Sequence, residues 1–270
     1  MSVRQRLDVV LADRGLCPSR RRAQTTIMSG LVYVDGQKED KPGLQVAPDA
    51  HIEVRGDPVG FVSRGGLKLS GALDAFALTV TGQRALDAGA STGGFTDCLL
   101  QRGAARVWAV DVGYGQLDWR LRQDDRVVVM ERMNIRNVTP DLIGQPLDIA
   151  VLDLSFISLR LVLPVVAALL GGAGQAVCLV KPQFEAGRGK VGKKGVVRDR
   201  AVHLEVLRRF ADDAAGAGMP VSDWTYSSVQ GPQGNIEFFA HLSKAAIKAA
   251  TPDPEDVVER AHVVFSASTR

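Results

Sequence analysis

The sequence predicts a doubly wound α/β domain preceded by a small α+β module. Six apolar runs from residue 84 onward alternate with helix-length segments, and apolar residues occupy both faces of these runs. Such runs are typical of a largely parallel sheet that helices cover on both sides. The first 57 residues instead contain two short helical patterns followed by short strands. We therefore expect a module at 1–57, a linker at 58–63, a main domain at 64–250 and a tail at 251–270 that forms a last helix with a frayed end.

Composition limits the class of protein. The chain has 270 residues, a net charge of +3 and 46% hydrophobic residues, which suits one or two domains with a core and permits a nucleic-acid partner without requiring one. Three scattered cysteines, Cys17, Cys98 and Cys178, fit neither a disulfide framework nor a zinc site, so no metal is expected. No apolar run approaches the length needed to cross a bilayer, and the N-terminus lacks a signal-peptide pattern. We expect a cytoplasmic protein without membrane contact; the oligomeric state stays open, with a monomer favoured.

The N-terminal module has clear helix boundaries. A first helix is predicted from Leu7 to Gly15, and a second begins at the N-cap Ser19 and ends at Gly30. The stretch "LVYVDGQ" alternates apolar and polar residues into an Asp35-Gly36 turn, and "AHIEVRG" supplies a second strand. Three arginines open the second helix, where cations oppose the helix dipole, so a role other than helix stability is indicated.

This module resembles the S4 RNA-binding domain. The matching positions are Arg6-Leu7-Asp8, Gly15, Ser19-Arg20, Ala23, Gly30, Val32, Val34, Gly36 and Lys41-Pro42. The resemblance implies an RNA partner that is recognised mainly by its shape and its phosphates. The residues expected to bind RNA here are Arg4, Arg6, Ser19, Arg20, Arg21, Arg22, Lys41 and Arg64.

A glycine-rich turn follows the first strand of the main domain, in "LDAGASTGGFTDCLL". It lacks the G-x-G-x-x-G pattern of nicotinamide enzymes, and Asp87 beneath it would repel phosphate but suit a cationic ligand. Asp111, after the second strand, is suited to accept hydrogen bonds from ribose hydroxyls, and Glu131 or Asn134, after the third, to contact adenine. This combination favours S-adenosylmethionine. The predicted cofactor-binding residues are Asp87, Gly89, Ser91, Thr92, Gly93, Gly94, Phe95, Asp111, Val112 and Asn134.

The motifs "SRGGLKLSGALDAF", "LDAGASTGGFT", "VDVGYGQL", "LDLSFISL", "LVKPQFE" and "GPQGNIEFF" closely resemble the TlyA family of ribosomal-RNA 2′-O-methyltransferases, from Arg4 to about Leu242. The resemblance implies an S4 domain followed by a Rossmann-like, S-adenosylmethionine-dependent methyltransferase domain similar to the FtsJ/RrmJ heat-shock methyltransferases. It implies ribosomal RNA or ribosomal subunits as partner, with cytidine 2′-hydroxyls of the small-subunit RNA, the large-subunit RNA or both as acceptors. It also implies a catalytic tetrad of Lys68, Asp153, Lys181 and Glu237.

A ribose hydroxyl is a poor nucleophile, so its proton must be removed or its developing charge stabilised. Lys181 is expected to do one or the other, helped by partial burial and by the nearby ammonium of Lys68, while Asp153 and Glu237 orient the two lysines. The loop after Lys181 is glycine-rich and basic, and it is expected to follow RNA phosphates. Its RNA-binding residues are Arg188, Lys190, Lys193 and Lys194.

Other functions are weaker interpretations of the same residues. A base-amine methyltransferase would carry Asn/Asp-Pro-Pro-Tyr/Phe where this chain has Asp153-Leu154-Ser155-Phe156. A cytosine-C5 methyltransferase would need a nucleophilic cysteine, but Cys178 lies in an apolar run, where a core residue is expected. A haemolysin has no signal peptide or spanning segment in its favour. A non-catalytic ribosome assembly factor would not need the tetrad or the glycine turn.

Overall fold

The computed structural model describes residues 4–17, 19–28, 30–54, 60–187, 189–192, 195–245 and 252–267. The chain divides into two compact units, Met1–Leu67 and Lys68–Arg270.

The first unit packs two helices against short strands. Its elements are β1 (Gln5–Arg6), α1 (Leu7–Asp13), α2 (Arg20–Met28), β2 (Val32–Val34), β3 (Gln37–Glu39), β4 (Gln45–Val46) and β5 (Ile52–Val54). β2 lies between β3 and β5 in an antiparallel sheet, and β1 pairs with β4. Leu7, Leu11, Ile27 and Val32 are fully buried in one core. Both predicted helices are confirmed.

Two local predictions in this unit are confirmed by backbone geometry. The hydroxyl of Ser19 accepts a hydrogen bond from the backbone N–H of Arg22 at 3.2 Å, which is the N-cap arrangement. Asp35 and Gly36 both have positive φ angles, 50° and 81°, and join β2 to β3 as a two-residue hairpin. The strands β1, β3 and β4 were not predicted, because two or three mainly polar residues show no apolar alternation.

The second unit is an α/β sandwich around a seven-stranded sheet. Its strands are β6 (Arg84–Ala88), β7 (Arg106–Val110), β8 (Val127–Met130), β9 (Leu147–Leu152), β10 (Leu170–Val180), β11 (Val221–Tyr226) and β12 (Phe238–Ser243). Its helices are α3 (Gly65–Ala75), α4 (Gly94–Gln101), α5 (Trp119–Arg122), α6 (Pro140–Ile143), α7 (Leu163–Leu169), α8 (Pro182–Glu185), α9 (Arg200–Gly216) and α10 (Glu255–Ala267).

The strand order is β11-β12-β10-β9-β6-β7-β8. The five strands from β6 to β10 are parallel to one another, whereas β12 is antiparallel to both β10 and β11. The doubly wound sheet is confirmed, and all six predicted strands are present. β10 begins at Leu170, earlier than predicted, and its pairing with β9 is interrupted before Gln175. β11 was missed because this edge strand mixes polar Ser222 and Asp223 into its apolar pattern.

The C-terminal helix α10 is part of the second unit. Its residues Val257, Val258 and Ala261 are buried in the same core as the central strands. On the neighbouring helix α9, His203 is fully buried, and its Nδ1 lies 2.9 Å from Nε2 of His262 on α10. Cys178 is fully buried in β10, so its prediction as a core residue is confirmed.

Because β6, β7, β9 and β10 are parallel, their carboxyl ends all lie along the same edge of the sheet.

Candidate active site

Charged residues gather where the parallel strands end. Ala88, the last residue of β6, pairs with Val110 of β7 on one side and with Leu152 of β9 on the other. Asp111 and Asp153 are the next residues on those neighbouring strands, so they flank the glycine turn that follows β6. Ligands of open α/β sheets bind at this edge.

A cavity of about 640 Å³ opens at this edge, a volume in the range of small-molecule sites. Five of the predicted cofactor-binding residues line it: Gly89, Ser91, Asp111, Val112 and Asn134. The predicted catalytic residue Asp153 also lies in its wall. The glycine turn and the predicted catalytic residue Asp153 therefore line the same cavity.

The rest of the glycine turn does not reach this cavity. Asp87, Thr92, Gly93, Gly94 and Phe95 are outside its lining. Asp87 is buried in β6, and α4 begins at Gly94 with its first residues buried. Phe95 is 3% exposed, and its ring centroid is 6.2 Å from that of Phe239. The assignment of these five residues to cofactor binding stays a prediction.

Two glycines of the turn are required for different reasons. Gly89 has a φ of 90°, and a Cβ there would lie 2.5 Å from the carbonyl oxygen of Asp153. Gly93 has a φ of 94°, and a Cβ there would overlap the side chains of Leu117 and Leu121. Gly89 thus lets the β6 turn approach the β9 loop at the cavity, whereas Gly93 is required by packing.

Asp87 is a buried acid below the turn. Its Oδ2 accepts a hydrogen bond of 2.6 Å from the hydroxyl of Thr96 on α4. Burial raises the pKa of Asp87 to about 7, and the nearby carboxylates of Asp153 and Asp111 act in the same direction, against the Thr96 hydrogen bond. Asp87 is fully buried and is not part of the cavity wall, which agrees with the expectation that it lies beneath the turn; its part in cofactor binding stays a prediction.

Asp111 and the residues after β8 form the opposite wall. The two oxygens of Asp111 accept hydrogen bonds from the backbone N–H groups of Ser91, at 2.8 Å, and Gly113, at 2.6 Å. Of the two candidates for an adenine contact, Asn134 lines the cavity. Glu131 is instead committed to the N–H of Gly115 and to an ion pair with Arg122.

The predicted tetrad forms two ion pairs. Nζ of Lys68, on α3, lies 2.5 Å from Oε2 of Glu237, just before β12. Lys181, which follows β10, pairs with Oδ1 of Asp153. Lys68, Lys181 and Glu237 are 5%, 9% and 1% exposed, so three of the four ionisable side chains are almost removed from solvent. Each lysine has a carboxylate partner, as expected.

Two further polar residues connect these pairs, and sequence reasoning did not assign them a role. The side-chain amide of Gln183 donates a hydrogen bond of 2.9 Å to Oε1 of Glu237, only two residues after Lys181. Nζ of Lys181 also donates to the hydroxyl of Ser155 at 3.1 Å. The sequence feature that could have identified Gln183 and Ser155 is their position in "KPQF" and "LDLSF", the polar motifs that follow the ends of two strands.

Phe156 is an exposed aromatic side chain in the cavity wall. It is 90% exposed, its φ is 65°, and its ring centroid lies 4.9 Å from that of Phe184. A non-glycine residue with positive φ is uncommon, and a large exposed ring is unfavourable in water. Phe156 thus presents an exposed ring in the cavity wall.

In the first unit, two predicted RNA-binding arginines converge on one acid. Asp8 is fully buried, and its oxygens accept hydrogen bonds of 3.0 Å from Nε of Arg6 and from Nε of Arg20. Gln24 donates to the same carboxylate at 2.6 Å. The Arg6 hydrogen bond is the largest of the interactions that hold the pKa of Asp8 well below its usual value. The side chains of Arg6 and Arg20 remain 44% and 55% exposed.

The other predicted RNA-binding residues differ in exposure. Arg4, Ser19, Arg21 and Lys41 are exposed, whereas Arg22 and Arg64 are half-buried. Lys190, in the basic loop of the second unit, forms an ion pair of 2.5 Å with Glu205. Arg188, Lys193 and Lys194 lie outside the described residues.

Comparison with known proteins identifies both parts of the chain. Residues 61–244 match the FtsJ-like methyltransferase family, and residues 5–52 match the S4 domain. The chain belongs to the FtsJ-like methyltransferase family. It is a methyltransferase that carries an S4 domain.

Its relatives refine this membership. The chain is 47% identical over 263 residues, 97% of its own length and 98% of the relative's, to the 16S/23S rRNA (cytidine-2′-O)-methyltransferase TlyA of Mycobacterium tuberculosis. It is also 51% identical over 242 residues to the Bacillus subtilis protein YqxC, which is named as an rRNA methyltransferase by assignment only. This match covers 89% of the chain and 86% of YqxC. A solved structure of a hemolysin-type protein from Streptococcus thermophilus matches with a TM-score of 0.78, 43% identity and coverage of 100% and 99%. The resemblance to the TlyA family is therefore confirmed.

The described residues contain neither a cluster of metal ligands nor a membrane-spanning helix. Within them, no group of three or more His, Cys, Asp or Glu side chains has an arrangement that could hold a metal ion. Over the same parts of the chain, no helix combines the length and apolarity needed to cross a bilayer.

Proposed function

We propose that this methyltransferase transfers a methyl group from S-adenosylmethionine to the ribose 2′-hydroxyl of cytidine in ribosomal RNA. The observation that carries the proposal is the pair of lysine–carboxylate contacts, Lys68–Glu237 and Lys181–Asp153, at the cavity edge of the sheet. The name of the Mycobacterium tuberculosis relative, which specifies cytidine 2′-O-methylation of 16S and 23S rRNA, supports the acceptor. Ribosomal RNA as substrate implies action in the cytoplasm, where ribosomes work.

The cavity residues fit the cofactor. Gly89 leaves the backbone open to close approach, and the Asp111 carboxylate, although it accepts two backbone N–H groups, retains lone pairs for hydroxyl donors. Ser91, Val112 and Asn134 complete the wall around it. When bound, S-adenosylmethionine supplies a methyl group activated by its sulfonium.

Lys181 is assigned to the acceptor oxygen. Its Nζ forms an ion pair with Asp153 and donates a hydrogen bond to the Ser155 hydroxyl, so its position is fixed by two contacts. Of the two roles considered for Lys181, this favours stabilisation of the negative charge that develops on O2′ over direct removal of the proton. Asp153, at the cavity wall, orients that ammonium.

Lys68 and Glu237 are assigned a positioning role together with Gln183. Glu237 is held by Lys68 on one oxygen and by Gln183 on the other. Since Gln183 is two residues beyond Lys181, this network fixes the turn after β10. Hydrogen bonds to both oxygens of the buried Glu237 carboxylate hold it in one position, and a fixed geometry is what in-line methyl transfer requires.

The RNA contacts follow from exposed aromatic and basic groups. Phe156 offers a ring face at the cavity on which an unstacked base can stack. In the S4 domain, Arg6 and Arg20 offer guanidinium groups pre-positioned by Asp8 for phosphates.

The proposal is tested by labelled methyl transfer to ribosomal RNA from a strain that lacks the enzyme. Lys181→Met is expected to lower incorporation by at least a hundredfold while binding S-adenosylmethionine with unchanged affinity. Arg260→Met, which breaks an exposed ion pair on α10, serves as the matched control and should retain full incorporation. Wild-type protein that binds subunits and cofactor without incorporating label would contradict the proposed activity and favour an assembly factor.

A further inference from the structure

Three carboxylates meet at the ends of neighbouring strands of the second unit. Asp87 lies in β6, Asp111 directly follows β7 and Asp153 directly follows β9. Asp153 is paired with Lys181, and Asp111 accepts two backbone N–H groups. Asp87 is satisfied on one side only: Thr96 donates to Oδ2, whereas Oδ1 is buried without a hydrogen-bond partner among the described residues.

The ionised form of such an acid is costly. A buried carboxylate with one unpaired oxygen loses its hydration without compensation, and the two neighbouring carboxylates add repulsion. Burial raises the pKa of Asp87 to about 7 for these reasons. Asp87 does not line the cavity, but it lies two residues before Gly89, which does.

We propose that Asp87 is partly protonated in the ligand-free enzyme at neutral pH and releases this proton to solvent when a cationic ligand occupies the cavity above it. Binding of the sulfonium cofactor is thereby coupled to the ionisation of a residue that does not touch the cofactor. This inference rests on the proposed function, because S-adenosylmethionine is the cation that the proposed reaction brings to the cavity.

The coupling has a simple electrostatic cause. A positive charge in the cavity lies near Asp87, Asp111 and Asp153 together, and it offsets the repulsion that keeps Asp87 protonated. The carboxylic acid then dissociates to a carboxylate and a proton, which the buffer takes up. The groups around Asp87 are the hydroxyl and the backbone N–H of Thr96 from α4, which both favour the ionised carboxylate, and two further acids. These acids are Asp111 after β7 and Asp153 after β9, the latter with its partner Lys181.

Calorimetric titration of the full-length protein with S-adenosylmethionine, at pH 7 in two buffers of different ionisation enthalpy, measures the protons released. We expect about half a proton per bound cofactor from Asp87 at pH 7. Below pH 7 the Kd should rise by up to about tenfold per pH unit. The cofactor's own amino group also titrates, at about pH 7.7–8.0, so the contribution of Asp87 is the difference between wild type and Asp87→Asn, which should lack it. S-adenosylhomocysteine, without the sulfonium charge, should release fewer protons than S-adenosylmethionine.

A second variant keeps the test decisive if Asp87→Asn does not fold. Thr96→Val removes the hydroxyl that stabilises the ionised carboxylate, so the pH at which the Kd begins to rise should shift upward. Cofactor binding with equal proton release in wild type and Asp87→Asn, or with an unmoved midpoint in Thr96→Val, would overturn the coupling but leave the proposed function intact. Failure to bind S-adenosylmethionine at any pH would overturn both.

Discussion

Lys68 and Glu237 lie 169 residues apart in the chain and form a buried ion pair of 2.5 Å. The contact ties α3 to the segment before β12, and Gln183 extends it to the turn that carries Lys181. Breaking a buried pair by removing one partner leaves an uncompensated charge, whereas removing both charges does not. Comparing removal of one charge with removal of both therefore distinguishes the contribution of the pair to protein stability from its contribution to methyl transfer.

Lys68→Met is expected to lower the free energy of unfolding by about 3–5 kcal/mol, because Glu237 then loses its charge partner in the interior. The double variant Lys68→Met/Glu237→Gln should recover most of that loss. Methyl transfer should remain strongly reduced in both, since neither fixes Gln183 and Lys181 as the wild type does. Urea unfolding and labelled transfer measure the two effects, and full transfer by the double variant would mean that the pair serves stability alone.

The His203–His262 contact predicts sensitivity to acid. Burial, with a smaller effect of His262, lowers the pKa of His203 from 6.5 to about 4. The unfolded chain therefore binds a proton that the folded protein does not, and stability falls as the pH drops from about 6.5 to 4. His203→Gln should show a smaller fall than wild type, by on the order of 3 kcal/mol at pH 4, in urea unfolding measured at several pH values. Parallel stability curves for the two proteins would exclude the imidazole of His203 as the cause.

Asp8 is expected to act on RNA binding through the arginines that it holds. Asp8→Asn adds one positive charge, which alone would strengthen RNA binding. We expect binding to weaken severalfold instead, because Arg6 and Arg20 lose the carboxylate that orients them. Asp13→Asn, at an exposed position of the same helix, makes the same charge change and should bind RNA as well as wild type or better. Affinities measured at several salt concentrations compare them; equal binding by both variants would remove Arg6 and Arg20 from the RNA contact.

Gly89 and Gly93 should respond differently to alanine. Both substitutions strain a positive φ, at a cost of about 1 kcal/mol or more, and both should lower the thermal midpoint. Gly89→Ala also pushes on the backbone of Asp153 at the cavity, so it should weaken S-adenosylmethionine binding at least tenfold. Gly93→Ala displaces only Leu117 and Leu121, and its folded fraction should bind the cofactor normally. Calorimetric titration distinguishes them, and the reverse order of affinities would contradict the assignment of Gly89 to the cavity.

The sequence predicted the sheet well because its strands are buried and polar or charged residues mark their ends. Runs such as residues 149–152 are apolar throughout, and charged residues follow them at the edge where Asp153 and Lys181 are found. β11 escaped prediction, since an edge strand exposes polar side chains that blur the pattern. The short strands β1, β3 and β4 contain too few residues for any periodicity.

Within the site, the sequence indicated residue types more reliably than their surroundings. Phe95 and Gly93 belong to the same glycine-rich motif as Gly89, yet one packs against Phe239 and the other against leucines. Asp87 and Asp111 both follow or end strands, but only Asp111 reaches the cavity. Whether a side chain faces the ligand or the core depends on the rotation of the backbone at one residue, and a motif does not encode that directly.

The central claim is ribose methylation of a cytidine, and alkaline hydrolysis tests it most directly. Purified 30S and 50S subunits from a strain lacking the enzyme would be incubated separately with the protein and methyl-labelled S-adenosylmethionine, and their RNA then hydrolysed with alkali. A 2′-O-methyl group removes the hydroxyl that attacks the adjoining phosphodiester, so the account predicts label in an alkali-resistant dinucleotide with cytidine at its 5′ position, from one or both subunits, and none with Lys181→Met. Label recovered only in alkali-sensitive mononucleotides would place the methyl group on a base and contradict the assignment of the tetrad.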